Sequence, residues 1–274
     1  MDLSKRFVTV ALVALLVAGA GCAGLTGGDA GSDDDAEQYE NATAVQEAAM
    51  EQMQDVESYT FTMETSMTSE NMTMNSTSEG AANIADRRLR QNQTVTMRMQ
   101  GQNMTINSTS YMIGDTMYSS YDGGAWQTMN ISNMPGGMSV DETWDQSDTM
   151  EQQEALLNGS NVSFGDEKTT TVDGREVYVI EIDIYEEEYM KVMDQQMMSN
   201  AQQQQQTGDI NVSNISITQY VDTDSMYVVR TDMSLEMTTN GQTMNQEMTM
   251  TFDDFNEDVS IEAPVETGNA TVAA

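Results

Sequence analysis

The sequence contains no histidine and only one cysteine, Cys22, among its 274 residues. Without histidine, the chain has no Ser-His-Asp or Cys-His catalytic arrangement and no zinc site of the usual Cys/His type. Carboxylate pairs remain available for hydrolysis, but 45 Asp and Glu residues give no reason to single out two of them. We therefore expect a protein that is not an enzyme and that has no cofactor.

Basic residues are also scarce. Lys and Arg number 10 against 45 acidic residues, so the formal net charge is −35. A chain this acidic is not attracted by its charge to nucleic acid or to an anionic membrane surface. Its acidic residues are dispersed among Thr, Ser, Asn, Gln and Gly, a distribution typical of folded proteins from halophiles. Alternating apolar residues recur along most of the chain, which favours a folded domain over intrinsic disorder.

The first 22 residues have the pattern of an export signal. Two basic residues precede an apolar run over 7–18, and small residues lead to Cys22. The run is too short to cross about 30 Å of hydrocarbon, so a membrane-spanning anchor is the less favoured alternative. The pattern predicts a signal peptide over 1–21 and a lipid on the Cys22 thiol, although Gly19 replaces the usual large aliphatic residue. We expect the protein at the extracytoplasmic face of the cell membrane, held by this lipid.

Composition divides the rest of the chain into three parts. Residues 22–37 comprise the lipidated cysteine and a Gly- and Asp-rich linker, which predicts a flexible tether with a reach of about 20 Å. A single domain is predicted over 38–266, followed by a C-terminal tail over 267–274. At the start of the domain, apolar residues from Tyr39 to Val56 recur three and four positions apart, which predicts a helix ending near Ser58.

Beyond this helix, strand patterns dominate. Apolar and polar residues alternate over 59–67 and again over 95–99, which is typical of strands with one solvated face. Hairpin turns are predicted at Asp122-Gly123-Gly124, at Asp173-Gly174 and at Asn240-Gly241. Two further helical patterns lie at 145–157 and 185–206. The sequence therefore predicts a mainly β (α+β) fold, built as a curved antiparallel sheet with two or three helices.

The order of these elements resembles a known group of proteins. The chain has a helix, then Ser58-Tyr59-Thr60-Phe61, a long meander, the hairpin around Asp122-Gly123-Gly124, a helix, and a close through Phe252-Asp253-Asp254-Phe255 and Ile261-Glu262-Ala263-Pro264. Over about 36–266 it resembles haloarchaeal lipoproteins of unknown function whose fold is similar to LolA and to the LppX-type mycobacterial lipoproteins. The resemblance implies a half-barrel sheet that carries lipids or lipoproteins in an apolar cleft. It implies no catalytic residue.

Methionine is unusually abundant, with 26 residues in the chain. Because methionine is flexible and polarizable, it fills irregular cores and also suits surfaces that accept varied apolar shapes. One interpretation is that methionine replaces leucine as core filler. Another is a lipid-accepting concave face, since the alternate positions of several strands are apolar. The predicted ligand-binding residues are Phe61, Met63, Met97, Met99, Trp126, Met248, Met250 and Phe252.

Three functions remain open at this point. We expect a module that binds or carries a hydrophobic ligand or lipid. The first alternative is a structural or interaction glycoprotein of the envelope without a small ligand. The second is Cu(I) binding through paired thioethers, because soft ligands suit Cu(I). The candidate pairs are Met72/Met74, Met97/Met99 and Met248/Met250.

Two smaller motifs concern glycosylation and metal binding. Asn-x-Ser/Thr acceptors are numerous, and we expect glycans at Asn71, Asn75 and Asn158, which are predicted to lie in loops. Asp222-Thr223-Asp224 lacks the glycine and the terminal glutamate of a calcium loop. It is therefore predicted to be a plain turn, and no metal site is expected in the carboxylates.

Overall fold

The structure, a computed structural model, describes residues 39–70, 72–99, 101–133, 140, 144, 160–185, 210–239, 241–264 and 271–272. Within these residues lie one full α-helix and a single sheet of twelve strands. The elements are α1 (Ala42–Gln54), β1 (Ser58–Ser69), β2 (Met72–Asn83), β3 (Arg88–Met99), β4 (Gln102–Ile113), β5 (Thr116–Tyr121), β6 (Gln127–Asn130), a 3-10 turn (Ile131–Asn133), β7 (Asn161–Val172), β8 (Arg175–Asp183), β9 (Ile210–Asp222), β10 (Val228–Thr239), β11 (Gln242–Asp253) and β12 (Thr271–Val272).

The sheet consists of two meanders joined along one seam. Strands β1 to β6 are neighbours in sequence order, and so are β7 to β11. Antiparallel pairing between β1 and β11 joins the two halves. Strand β12, which falls in the predicted C-terminal tail, pairs in parallel with β6 at the sheet edge.

The predicted fold class, a mainly β, open and curved antiparallel sheet, is confirmed. The predicted helices over 145–157 and 185–206 lie outside the described residues, apart from Tyr185.

The tight turns lie where the sequence predicts them. Asp122 and Gly123, with φ of 50° and 69°, connect β5 to β6. Asp173 and Gly174, with φ of 50° and 84°, connect β7 to β8. Gly241, with φ of 78°, lies between β10 and β11. Gly and Asp adopt positive φ more readily than other residues, and this is why these positions turn the chain.

Asn41 caps the start of helix α1. The Asn41 side-chain oxygen accepts a hydrogen bond of 2.8 Å from the Ala44 backbone N–H, which satisfies one free donor of the first turn. The predicted helix is confirmed, but it ends at Gln54, and Ser58 already begins β1. Among the described residues, no helix is long and apolar enough to cross a membrane. The apolar stripe of α1, formed by Ala42, Val45, Ala49 and Met53, packs against one face of the sheet, which we call the inner face.

The segment after β11 is bonded back to the start of the domain. Asn256 accepts a hydrogen bond of 2.7 Å on its side-chain oxygen from the Glu57 N–H and donates its own backbone N–H to the Ser58 carbonyl at 2.8 Å. Further along, the Arg88 guanidinium donates to the Ile261 carbonyl at 2.6 Å. The chain after the last long strand is thus held against the α1–β1 junction and then against β3.

Met63 and Met99 differ sharply in burial. The side chain of Met63 is 1% exposed, whereas that of Met99 is 54% exposed. We expect Met63→Ala to lower the free energy of unfolding by about 2–5 kcal/mol, because it leaves a cavity. Met99→Ala should change it by less than about 0.5 kcal/mol. Urea unfolding followed by circular dichroism measures both, and equal effects would contradict the placement of the two residues.

Gly80 is required by the ring that lies over it. Gly80 is the cross-strand partner of Phe61, and a Cβ at Gly80 would meet the Phe61 ring and come within 2.7 Å of the Arg90 carbonyl oxygen. Gly80→Ala should therefore cost about 1–3 kcal/mol of stability, as overpacking typically does. The same substitution beside Phe61→Leu should cost less, because the ring is gone. An unchanged melting temperature in Gly80→Ala would refute this contact.

Candidate ligand-binding face

The strand register separates charged from uncharged side chains. Alternate residues of a strand lie on opposite faces, so each paired position can be assigned to the inner face or to the outer face opposite it. Along β1–β6, β10 and β11, every charged residue occupies an outer-face position. The inner face of these strands consists of apolar, Ser, Thr, Gln and Gly residues. The outer-face charged residues are Glu64, Glu79, Arg88, Arg90, Arg98, Arg230, Asp232, Glu236, Glu247 and Asp253.

Part of the inner face is buried under α1. Five of the eight predicted ligand-binding residues lie there in one apolar cluster, together with side chains of β8, β9 and β10. Phe61 faces Phe252 across the β1–β11 seam, and Met63 faces Met250. These residues form core, because they are buried in the same apolar cluster as the stripe of α1. Their exposed fractions are Phe61 6%, Met63 1%, Met248 5%, Met250 4% and Phe252 1%.

Met97 and Met99 lie on the same inner face but outside this core cluster. They belong to a contiguous patch at the turn end of β1–β4, which we call the methionine block. Across the strands, Met67 pairs with Met74, Met74 with Met97, and Met97 with Met104, while Met72 pairs with Met99. Met99 and Met104 are exposed by 54% and 44%. The other four are half-buried, so all six are accessible to solvent: Met67, Met72, Met74, Met97, Met99 and Met104.

Trp126 does not share the face of these methionines. Its ring lies edge-on against Tyr111, with ring centroids 5.6 Å apart. Tyr111 pairs with Arg90 on the outer face, whereas the next residue, Met112, lies on the inner face. The expectation that Trp126 lines one cavity with the other seven residues is therefore corrected. The physical reason is the connection through Asp122–Gly124, after which Trp126 directly precedes β6 and lies on the outer-face side of the sheet.

A polar band adjoins the methionine block on the inner face of β2–β4. Its glutamines are hydrogen-bonded to serines of the neighbouring strand: Gln91 donates to the Ser78 hydroxyl at 2.6 Å, and Gln93 to the Ser76 hydroxyl at 3.1 Å. Both serines are buried and both glutamines are half-buried. The register extends the row to β4 through Gln91–Ser110 and Gln93–Ser108. We call Ser76, Ser78, Gln91, Gln93, Ser108 and Ser110 the serine–glutamine band.

A second apolar cluster closes the other side of the band. Met112, Ile131 and Trp144 are buried together, with Leu89 packed against them. The Trp144 indole N–H donates to the Gly114 carbonyl at 2.7 Å, which fixes the ring over this end of the sheet. Between this cluster and the methionine block, the inner face therefore presents hydroxyl and amide groups. Apolar surface lies on both sides of them.

The described carboxylates do not assemble a metal site. No group of three or more Asp, Glu, Cys or His side chains is placed to hold an ion in the part of the chain that the structure describes. The predicted turn at Asp222–Asp224 is confirmed: one Asp222 oxygen accepts hydrogen bonds from the backbone N–H groups of Asp224 and Ser225. The hydrogen bond to Asp232 raises the pKa of Arg230 on the outer face. Burial raises the pKa of Tyr178 in the core.

Three glycan acceptors were predicted in loops. Asn75 instead lies within strand β2, because the alternation that begins at Met72 continues through it. Its side chain is exposed on the outer face. Asn71 and Asn158 lie outside the described residues, and so does Cys22.

Comparison with known proteins identifies the family. A family model described as a family of unknown function, DUF6612, matches residues 41–272. The chain belongs to this family. No curated protein sequence matches it. The match covers the methionine block and the serine–glutamine band, so both lie within the DUF6612 domain.

Solved structures similar to this DUF6612 chain share little sequence with it. The lipoprotein LppX of Mycobacterium tuberculosis is 15% identical, with 80% of this chain and 97% of LppX covered and a TM-score of 0.46. A DUF1329 family protein from Desulfovibrio piger is 10% identical, with coverage of 81% and 95% and a TM-score of 0.24. MucB, solved in complex with MucA, is 11% identical, with coverage of 84% and 59% and a TM-score of 0.30.

Sequence reasoning named four methionines of the exposed patch as separate pairs but did not join the six into one surface of this DUF6612 chain. Met67, Met74 and Met104 join Met97 only through cross-strand pairing. That pairing follows from two-residue connections after Ser69 and after Met99. The available signal was Gly101, a residue typical of two-residue hairpin turns, and its φ of 81° is the conformation that such a turn requires. A turn at 100–101 places Met97 opposite Met104.

Proposed function

We propose that the protein is a binding module for a hydrophobic ligand, which it holds on the inner face of β1–β4 without catalysis. The observation that carries this proposal is the methionine block, six adjoining apolar side chains that remain accessible to solvent. Removing such surface from water is favourable by about 25 cal/mol per Å². Flexible thioether side chains can also adapt to ligands of different shapes. An acyl chain or a ring system fits these requirements.

The charges of the molecule favour a ligand with an uncharged head group. The inner face of these strands carries no charged side chain to pair with an ionic group, and the net charge of −35 repels anions. The serine–glutamine band instead offers hydroxyls and amides, which donate and accept hydrogen bonds. We therefore infer a neutral amphiphile, with its apolar part on the methionine block and its hydroxyl or amide groups on the band.

We propose further that the chain is exported and held at the extracytoplasmic face of the cell membrane by a lipid on Cys22. The apolar run over 7–18, the small residues after it and the acidic linker over 22–37 support this proposal. The partners are then the membrane, reached through the lipid, and the hydrophobic ligand. The scarcity of basic residues argues against a nucleic-acid partner.

A structural or interaction glycoprotein without a small ligand is the competing proposal. One observation favours it: Asn75, followed by Ser76 and Thr77, is exposed on the outer face and is available as a glycan acceptor. A glycan on this face would not obstruct the inner face. Ligand binding is therefore the measurement that separates the two proposals.

Met97→Glu should weaken the binding of a neutral apolar probe. N-phenyl-1-naphthylamine is such a probe, and its fluorescence rises in apolar surroundings. A carboxylate in the middle of the methionine block would have to be desolvated by the bound probe, so we expect at least a tenfold loss of affinity. Because Met97 is half-buried, the fold should persist, and circular dichroism checks this.

Thr96→Glu is the matched control, since Thr96 neighbours Met97 in β3 but lies on the outer face. It adds the same charge and should leave probe binding unchanged. The anionic analogue 8-anilinonaphthalene-1-sulfonate should bind the unaltered protein more weakly than the neutral probe. Failure of the unaltered protein to bind the neutral probe would reject the ligand-binding proposal and favour the structural one.

Cys22→Ser should release the protein from the membrane fraction. The substitution removes the thiol that would carry the lipid, and a chain with 10 basic and 45 acidic residues has no excess of positive charge to hold it at the membrane instead. Ala23→Ser is the control and should stay membrane-bound. Fractionation and intact-mass analysis of the native protein measure the outcome, and retention of Met1 in the native mass would contradict both cleavage and anchoring.

A further inference from the structure

The methionine block also has the chemistry of a soft-metal site. Two methionines on β2 and two on β3 form a square on one face, because Met72 pairs with Met99 and Met74 pairs with Met97. Directly opposite residues in antiparallel strands have Cβ atoms about 4.5–5.5 Å apart. Each methionine side chain has three rotatable bonds. Thioether sulfurs from adjacent corners of the square can therefore converge on one ion.

The surroundings of the square select for a soft ion. Within β1–β4 every charged residue lies on the outer face, so no carboxylate of these strands shares the inner face with the four sulfurs, and Glu70 lies in the connection between β1 and β2. Hard cations such as Mg²⁺ and Ca²⁺ require oxygen ligands, whereas thioethers bind Cu(I). The chain has no histidine, and its single cysteine lies at position 22. Among the residues that the structure describes, methionine is thus the only soft ligand available on this face.

We infer that the protein binds one Cu(I) ion through the thioethers of Met72, Met74, Met97 and Met99, with Met67 and Met104 at the flanks. The site is open to solvent, since Met99 is 54% exposed and the other three are half-buried. It differs from a site built on the Met248/Met250 pair, because those two side chains are 5% and 4% exposed within the core under α1. The inference goes beyond the binding of a hydrophobic ligand and does not depend on it.

Proton chemistry gives this site a recognisable signature. Cysteine and histidine must lose a proton to bind a metal, so their affinities depend on pH. A thioether carries no proton, and its binding of Cu(I) releases none. Copper affinity should therefore change by less than threefold between pH 5.5 and pH 8. A thiol or imidazole site would lose far more affinity at the lower pH, because both groups take up a proton in this range.

The test is a competition titration with the full chain carrying Cys22→Ser, which removes the only thiol. Cu(I) is held by bicinchoninate under ascorbate, in sulfate rather than chloride salt, and its transfer to the protein is followed by absorbance. We expect one Cu(I) per chain. Met72→Leu combined with Met97→Leu should weaken binding at least tenfold, because leucine keeps the apolar volume but removes two sulfurs from opposite corners.

Met248→Leu combined with Met250→Leu is the matched control. It also removes two sulfurs, and substitutions of similar volume are tolerated in cores. This variant should bind Cu(I) as the parent does, and circular dichroism checks the fold of both variants. Three results would each overturn the inference: no Cu(I) transfer to the parent, equal binding by the block variant, or a tenfold loss of affinity between pH 8 and pH 5.5. Binding of the neutral probe by the unaltered chain is measured separately, so failure of one proposal is distinguishable from failure of the other.

Discussion

The rest of the structure depends on the period-two alternation of long strands held in an unbroken register. From β1 to β4 the paired residues run without a shift, so every inner-face position stays on the inner face across the sheet. A slip by one residue would exchange the two faces. In a chain with 45 acidic residues, it would bring carboxylates such as Glu64 and Glu79 onto the inner face. The register therefore preserves both the apolar core and the uncharged surface beside it.

The position of α1 divides one type of residue into two populations. Met63 and Met250 belong to the apolar cluster that includes the stripe of the helix, and they are almost fully buried. Met97 and Met99 follow the same alternation in β3 but lie beyond that cluster. The same side chain thus stabilises the fold in one half of the sheet. In the other half it leaves an adaptable, polarizable surface open to a ligand or a soft ion.

Local features of the fold were predictable from the sequence, and non-local features were not. The three-and-four spacing of apolar residues identified α1, and Asp-Gly turns such as Asp173-Gly174 identified hairpins, because both signals act over a few residues. The side of the sheet on which Trp126 lies depends on how a turn re-enters β6, which alternation within a strand does not specify. The separation of buried from exposed methionines depends on which strands share the apolar cluster of α1, a helix that contacts β7 and β8, and no local pattern encodes it.

The seam between β1 and β11 has a consequence for how the chain acquires its structure. Most strand pairs within each meander are hairpins that close short loops and form quickly, although residues 184–209 separate β8 from β9. The seam instead joins Phe61 to Phe252 and Met63 to Met250, residues at opposite ends of the domain. Contacts of such long range slow folding, because the entropy of closing the loop is lost before they form. Because a chain is synthesised from its N-terminus, β1–β6 can assemble early. The edge of β1 that pairs with β11 stays unpaired until β11 has been made.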